Sequence, residues 1–410
     1  MTLASTSNRA RGMRDILPDE MERVRIVEHA FAQTCRAWGY REIRTPLIEP
    51  LHLFTAAGTL SPHTLDGVYS FLDWDGWSGE RVVLRPDSTI PAARLYAEHL
   101  DAGQVAKLFY SQTVYRFTGD DSDREEEQCG VELIGDTGAR GDVELVHLAL
   151  ACLSAIGVSG RIAVHLSHTG IARSVMAAAG LSAGEQAAAY DRLLDGDMSI
   201  LDEVEARLPR LNTPLRLLFE VTGEGAGFLA NLRDPLTAAI PGLAAPFDAL
   251  EFTLGALAQS GVEPRVEAVL ARNFEYYSGV VFKIYVDGRR VITGGRYDDL
   301  LELVAGRPVP ASGFGLYVQP AAALVPVHSS GDARTIVLTT QAEDAVAIAR
   351  AYALAGFLRS HGLRVETMAG ASPDADTIEV SRDAFTLVTK DGARTFPSES
   401  EVVAALGASR

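Results

Sequence analysis

Lysine is nearly missing from this 410-residue chain: Lys107, Lys283 and Lys390 are the only three, so arginine carries almost all of the positive charge. With 37 basic against 54 acidic residues the formal net charge is −17. Such a field repels phosphate backbones and disfavours a nucleic-acid role unless a local basic patch overcomes it. Cysteine is as scarce. Cys35, Cys129 and Cys152 stand far apart with no C-x-x-C pair, which excludes a disulfide framework or cysteine-based zinc site and suits a reducing cytosol. No run approaches ~20 apolar residues, so no membrane span is expected. The opening MTLASTSNRARGMRD lacks the apolar segment of a secretory signal. A cytoplasmic protein without a metal centre is expected.

What is present is globular: 47% hydrophobic and 22% charged residues, with length enough for two or three domains. Val24, Val27, Phe31, Cys35 and Trp38 recur at spacings of three and four and predict an amphipathic helix over 20–38, stopped by Gly39. REIRTPLIEP reads as extended, with Pro46 confining it to an edge or strand end. VYSFLDW and RVVL predict two strands joined by a Gly-containing turn, and a helix opens at Ile90-Pro91. Residues 108–117 and 127–134 alternate with period two and predict an antiparallel hairpin, followed by a helix over 142–155. Residues 160–262 read as a strand and then mostly short helices. GVVFKIYV and RRVIT flank Asp287-Gly288, a two-residue hairpin signal. Gly294-Gly295-Arg296-Tyr297-Asp298 either brings backbone close to a ligand or is a strand-to-helix turn, with a helix expected near Arg296, and 312–318 gives one more strand. After a linker at 326–333, a βαβ-like unit and two further strands near Thr377 and Phe385 make a small α/β domain. The expected domains are 1–325, containing the helical region 160–262, and 334–410.

Three segments carry candidate chemistry. In a strand, Gln128, Gly130 and Glu132 share one face, so a ligand can lie on bare backbone between two hydrogen-bonding side chains. Glu132 suits a cation and Gln128 a neutral polar group; the plain alternative is a solvated strand face. In Arg85-Pro86-Asp87-Ser88-Thr89, Asp87 and Thr89 could receive an α-ammonium, or Asp87 or Ser88 could simply cap the following helix. Arg272 with Tyr276 and Tyr277 suits a small zwitterion carrying a ring, or else is a buried aromatic pair beside a surface arginine.

GMRDILP, RPDSTIPAAR, Tyr115-Arg116, QCGVELIG, RNFEYYSGVVF and GGRYDDL occur in the order found in the histidyl-tRNA synthetase-like class II core. The resemblance covers about residues 9–320. It implies an α+β fold: a class II aminoacyl-tRNA synthetase-like antiparallel sheet flanked by helices, with the small C-terminal α/β unit appended. It also implies a homodimer built partly through the segment around Pro46, and a histidine pocket. By position in the motifs, Asp87 and Thr89 would face the α-amino group with Gln128 and Glu132 nearby. Arg272 would face the carboxylate, and Tyr276 and Tyr277 the imidazole; Arg116 keeps the arginine of the second-motif strand.

The chain departs from the synthetase pattern where a triphosphate would lie. The loop expected to resemble Arg-x-Glu-Arg-Pro-Gln is instead residues 117–127, FTGDDSDREEE, with six carboxylates and one arginine. Each uncompensated carboxylate ~6 Å from a phosphate costs on the order of 1–3 kcal/mol at effective dielectrics of 20–60. The third motif should close Gly-Leu-Glu-Arg; here Gln319 and Pro320 stand in the last two places, and proline offers neither charge nor donor. Residues 331–410 carry eleven carboxylates against eight basic residues, ill suited to an anticodon stem. Asp87, where synthetases have glutamate, makes RPD-x-T-x-P-x-AR more similar to the regulatory subunits of ATP phosphoribosyltransferase. That family implies no catalysis of its own, no cofactor, no tRNA, free histidine as ligand and a short-form catalytic subunit as partner in the first step of histidine biosynthesis. The competing expectations are a histidyl-tRNA synthetase and a stand-alone histidine-binding paralogue.

Overall fold

The computed structural model of this chain describes residues 8–56, 68–74, 79–101, 103–116, 124–136, 138–220, 223–270, 276–326, 335–340, 344–368, 375–390 and 392–407. The chain divides into two compact units, Met1–Pro326 and Val327–Arg410.

The first unit opens with α1 (Pro18–Ala37), whose buried stripe is Val24, Val27, Phe31 and Cys35. Pro18 stands in the first turn, where its missing N–H costs nothing, and Gly39 at φ +83° ends the run. β1 (Arg41–Glu42) and β2 (Ile48–Pro50) lie on either side of Pro46, followed by α2 (Leu51–Ala56), β3 (Ser70–Trp74) and β4 (Gly79–Leu84). β2, β4 and β3 pair antiparallel as a small separate sheet. Then come α3 (Thr89–His99), the hairpin β5 (Ala106–Tyr115) and β6 (Glu125–Ile134), α4 (Ala139–Ile156) and β7 (Ile162–His168).

The helical region holds α5 (Thr169–Ala178), α6 (Ala183–Leu194), α7 (Ser199–Arg207), α8 (Asn212–Glu220), β8 (Gly223–Glu224), α9 (Gly225–Ala239), α10 (Ala244–Gln259) and β9 (Arg265–Val266). β10 (Val280–Val286) and β11 (Arg289–Arg296) form the expected hairpin, with Asp287 at φ +48° and Gly288 at φ +78°. Two positive φ values suit a turn that matches the strands' twist. α11 (Asp299–Ala305), β12 (Ala311–Tyr317) and α12 (Val318–Ala322) complete the unit. One expectation is corrected here: Gly294, Gly295 and Arg296 are still strand, and the helix starts only at Asp299. The glycines mark a close approach of backbone to side chains on both sides, not the end of the ladder.

The main sheet runs β1-β5-β6-β12-β11-β10-β7-β9-β8. Its centre is antiparallel, while β1 with β5 and β7 with β9 pair parallel, so the sheet is mixed. Its two faces have opposite character. Phe109, Cys129, Val131, Leu133, Phe282, Phe314 and Leu316 point to one side and join the stripes of α1 and α4 in one continuous core. Phe31 meets Phe109 and Phe314 edge-on at 6.1 and 6.4 Å. The registers put Tyr110, Gly130, Glu132, Gly313, Gly315, Thr293 and Gly295 on the other side. A second cluster around Phe54, Val83, Ile90, Tyr96, Leu300 and Leu301 closes over one end of that face.

The second unit is β13 (Thr335–Thr340), α13 (Ala345–Ser360), β14 (Arg364–Thr367), β15 (Asp376–Val380), β16 (Phe385–Thr389), β17 (Gly392–Phe396) and α14 (Glu399–Gly407). β14, β13 and β15 are parallel, and β16 and β17 extend the sheet antiparallel. β17 and α14 escape the sequence reading: GARTF, exposed but for Phe396, has no alternation to betray a strand.

Candidate functional site

The glycine-lined face of the main sheet assembles the residues that the sequence scatters over more than two hundred positions. Glu132 is its centre. The side chain is 1% exposed and both oxygens are held by phenols: Tyr110 Oη donates to Oε1 at 2.9 Å, and Tyr297 Oη donates to Oε2. Thr89, the first residue of α3, lies close enough for its side chain to lower the pKa values of Glu132, Tyr110 and Tyr276 against the effect of burial. Tyr276 packs against Tyr277 at 5.0 Å edge-on and against Tyr297 at 5.3 Å, making an aromatic wall.

Close approach is what the glycines provide. Tyr110 lies directly across the ladder from Gly130, where a Cβ would stand 2.2 Å from its ring. At Gly313 a Cβ would stand 2.3 Å from Glu132 Oε2 and from the Val131 carbonyl. Any side chain at these positions fills the floor on which Glu132 and the tyrosines rest.

Electrostatically the site is two carboxylates under a roof of phenols. Burial pushes Glu132 well above the ordinary carboxylate range; the Tyr110 and Thr89 hydrogen bonds oppose the shift and nearby Asp87 adds to it. Burial also raises Asp87, against the Ile90 and Thr89 amides and the Arg116 guanidinium. Tyr110, Tyr276 and Tyr277 are raised chiefly by burial, and the Asp87 and Glu132 charges add to the shifts of Tyr276 and Tyr277. Neutral phenols support a buried carboxylate without cancelling its charge, so an entering N–H or ammonium group gains strongly.

Asp87 sits at the start of α3 and faces the same cluster. Its Oδ1 accepts from the Ile90 amide at 2.9 Å, capping α3, while its charge bears on Tyr110, Tyr276 and Glu132. Gln128 lies beside the Gly315 backbone, and its Oε1 is buried without a hydrogen-bond partner. Arg116, just past β5, donates from Nε to the Pro86 carbonyl at 3.0 Å and from Nη1 to Glu126 at 2.8 Å. Arg272 lies outside the described residues, as does the acidic loop from 117 to 123.

The sequence assigns no role to the phenols of Tyr110 and Tyr297, although Tyr297 lies in the GGRYDDL segment. Tyr110 belongs to the same alternation as Gly130, but its register partner is set by the hairpin. Tyr297 follows Arg296, whose guanidinium is anchored by Asp142 at 2.9 Å and by the Asp136 and Gly138 carbonyls. Among the described residues no cluster of His, Cys, Asp and Glu could hold a metal, and no helix is long and apolar enough to cross a membrane.

The histidyl-tRNA synthetase family model matches residues 12–321. An ATP phosphoribosyltransferase regulatory subunit from Dehalococcoides mccartyi is 39% identical over 97% of this chain and 98% of its own. A histidine–tRNA ligase from Methanosarcina acetivorans is 34% identical over 76% of this chain and 74% of its own. The crystal structure of an ATP phosphoribosyltransferase regulatory subunit/histidyl-tRNA synthetase from Bacillus halodurans superposes with a TM-score of 0.71 at 27% identity, covering 90% of this chain and 94% of that one. With near full-length similarity to the one family and a synthetase frame shared with the other, the chain belongs to the histidyl-tRNA synthetase-like regulatory subunits of ATP phosphoribosyltransferase, in histidine biosynthesis.

Proposed function

We propose that this chain is a cytoplasmic regulatory subunit without catalysis of its own, which binds free histidine and assembles with a short-form ATP phosphoribosyltransferase catalytic subunit. Histidine is the end product, and its binding here shifts the assembly toward a less active state by its differential affinity for the two states. The observation that carries the reading is the contrast along one strand. At one end of β6, Glu132 is gathered with Thr89, Tyr110, Tyr276 and Tyr297. At the other, Arg116 is tied to Glu126, and Gln319 and Pro320 stand where an activating enzyme needs cations for a triphosphate.

In this pocket Glu132 receives an imidazole N–H, and Asp87 with Thr89 receives the α-ammonium. Gln128 orients the backbone end, Tyr276 and Tyr277 flank the ring, and Arg272 and Arg116 serve the carboxylate side. A homodimer is part of the same proposal: Leu47, Ile48, Phe71, Leu72 and Trp74, exposed around the small β2-β4-β3 sheet near Pro46, support it.

Titration calorimetry of the purified chain with histidine tests the proposal. Saturable binding that rejects alanine supports it, and no heat overturns it. ATP–pyrophosphate exchange dependent on histidine would overturn the non-catalytic reading in favour of a synthetase. Co-purification of a short phosphoribosyltransferase from native cells checks the partner.

A further inference from the structure

The outer end of the binding face holds a charge arrangement beyond the Glu132 cluster. Along β6 the face that carries Glu132, Gly130 and Gln128 continues to Glu126, two residues further on. There a cavity of about 370 Å³ is lined by Glu125, Glu126, Arg289, Tyr317, Gln319 and Pro320. Tyr317 is the register partner of Gln128, so this cavity adjoins the amino-acid site across the β6–β12 ladder.

Arg289 lines this cavity, and two further arginines are engaged with its lining residues Glu126 and Tyr317. Arg116 has Nε on the Pro86 carbonyl and Nη1 on Glu126 Oε2 at 2.8 Å, with the two side chains 40% and 38% exposed. Arg290 lies over the Tyr317 ring at 5.2 Å, covering an aromatic surface with a guanidinium. Glu125 accepts from the Tyr115 phenol at 3.0 Å. The Arg116 backbone N–H bonds to the Arg124 carbonyl at 2.9 Å, which keeps the strand carrying Arg116 paired with the one that leads into Glu126.

We infer that Glu126 is a resident anion on Arg116: it fills the place of a phosphate and makes the cleft specific for a free amino acid over its nucleotide-activated form or a polyphosphate. The inference deepens, and rests on, the reading of the inner site as an amino-acid pocket. A carboxylate that neutralises Arg116, the arginine kept from the synthetase-like strand, removes the attraction a phosphate would feel from that arginine. A second carboxylate beside it adds repulsion. Glu126 is thereby a specificity residue acting through Arg116.

The test is ATP binding, followed by calorimetry in metal-free buffer with EDTA so that no divalent ion bridges Glu126 to a phosphate. The E126Q chain is expected to bind ATP about fivefold more tightly than the wild type, the scale of one half-exposed ion pair. E126A serves as a second variant because glutamine keeps a hydrogen bond. The gain should shrink in 0.5 M salt (roughly a 4 Å screening length) and vanish in the R116A/E126Q double variant. Equal ATP affinity in the wild type and both Glu126 variants, or a gain that survives loss of Arg116, overturns the inference. A parallel wild-type titration with histidine separates the two readings: its failure sinks the amino-acid pocket while the Glu126 comparison still reports on the nucleotide end.

Discussion

Glu132 on β6 and Tyr297, just past β11, are 165 residues apart in sequence and joined by a hydrogen bond at the floor of the cleft. The contact links the second-motif strand to GGRYDDL, and it holds the carboxyl group in place. Removing the phenol in Y297F should weaken histidine binding about three- to tenfold, the worth of one net hydrogen bond. Calorimetry with histidine reads the loss; unchanged affinity would mean that Tyr297 only packs against Tyr276.

Glu132 itself is expected to trade stability for binding. Burial holds its carboxyl well above the ordinary range, so the charged form is a strain on the fold. E132Q should lower histidine affinity by about 30-fold or more, since charge-assisted bonds contribute roughly 1.5–3 kcal/mol. The same variant should unfold at an equal or higher Tm. A large drop in Tm would assign Glu132 a structural role instead.

Two neighbouring glycines on β12 should respond differently to alanine. At Gly313 the new Cβ meets the Val131 carbonyl at 2.3 Å, a backbone atom that cannot yield without moving β6. G313A is therefore expected to cost about 1–3 kcal/mol in urea denaturation, as overpacking does. At Gly315 the Cβ meets Gln128 Nε2 at 2.4 Å, the far end of a flexible side chain. G315A should displace Gln128, lower histidine affinity and leave the denaturation midpoint nearly unchanged.

The Arg296–Asp142 pair, 2.9 Å apart and almost wholly buried, positions the segment that carries Tyr297. Truncating one partner strands the other charge, so D142A should destabilise the first unit by about 3 kcal/mol. A midpoint shift in denaturant without change in slope is the expected signature.

His168 gives the fold an acid limit. Its side chain caps α5 by accepting from the Gly170 amide at 3.0 Å, and burial with nearby Arg173 and Arg296 lowers its pKa to about 4. The unfolded imidazole, at about 6.5, takes up a proton that the folded one refuses. Between pH 6.5 and about 4, acidification therefore favours the unfolded chain, by about 2 kcal/mol at pH 5. H168N keeps a capping acceptor without titrating there; thermal melts at pH 7 and pH 5 should differ less for it than for the wild type.

Much of this molecule is written locally. The spacing of Val24, Val27, Phe31 and Cys35 determines a helix and its buried side, because a 3.6-residue period admits only one apolar stripe. The alternation Gln128, Gly130, Glu132 determines which side chains share a strand face, because the pleat repeats every two residues. Asp287-Gly288 determines a hairpin through its two positive φ values. The loss of basic residues at 117–127 and at Pro320 is legible as charge alone. Tertiary structure decided what meets across elements. The pairing of Tyr110 with Gly130, the arrival of Tyr297 at Glu132 and the capture of Arg116 by Glu126 depend on strand register, on the order of β6, β12 and β11, and on side chains reaching between elements. None of those leaves a periodic trace in the chain. Gly294-Gly295 shows the limit well: by composition the pair fits a close backbone approach or a turn equally, and it stays in the ladder with neighbouring backbone and rings too close for any side chain.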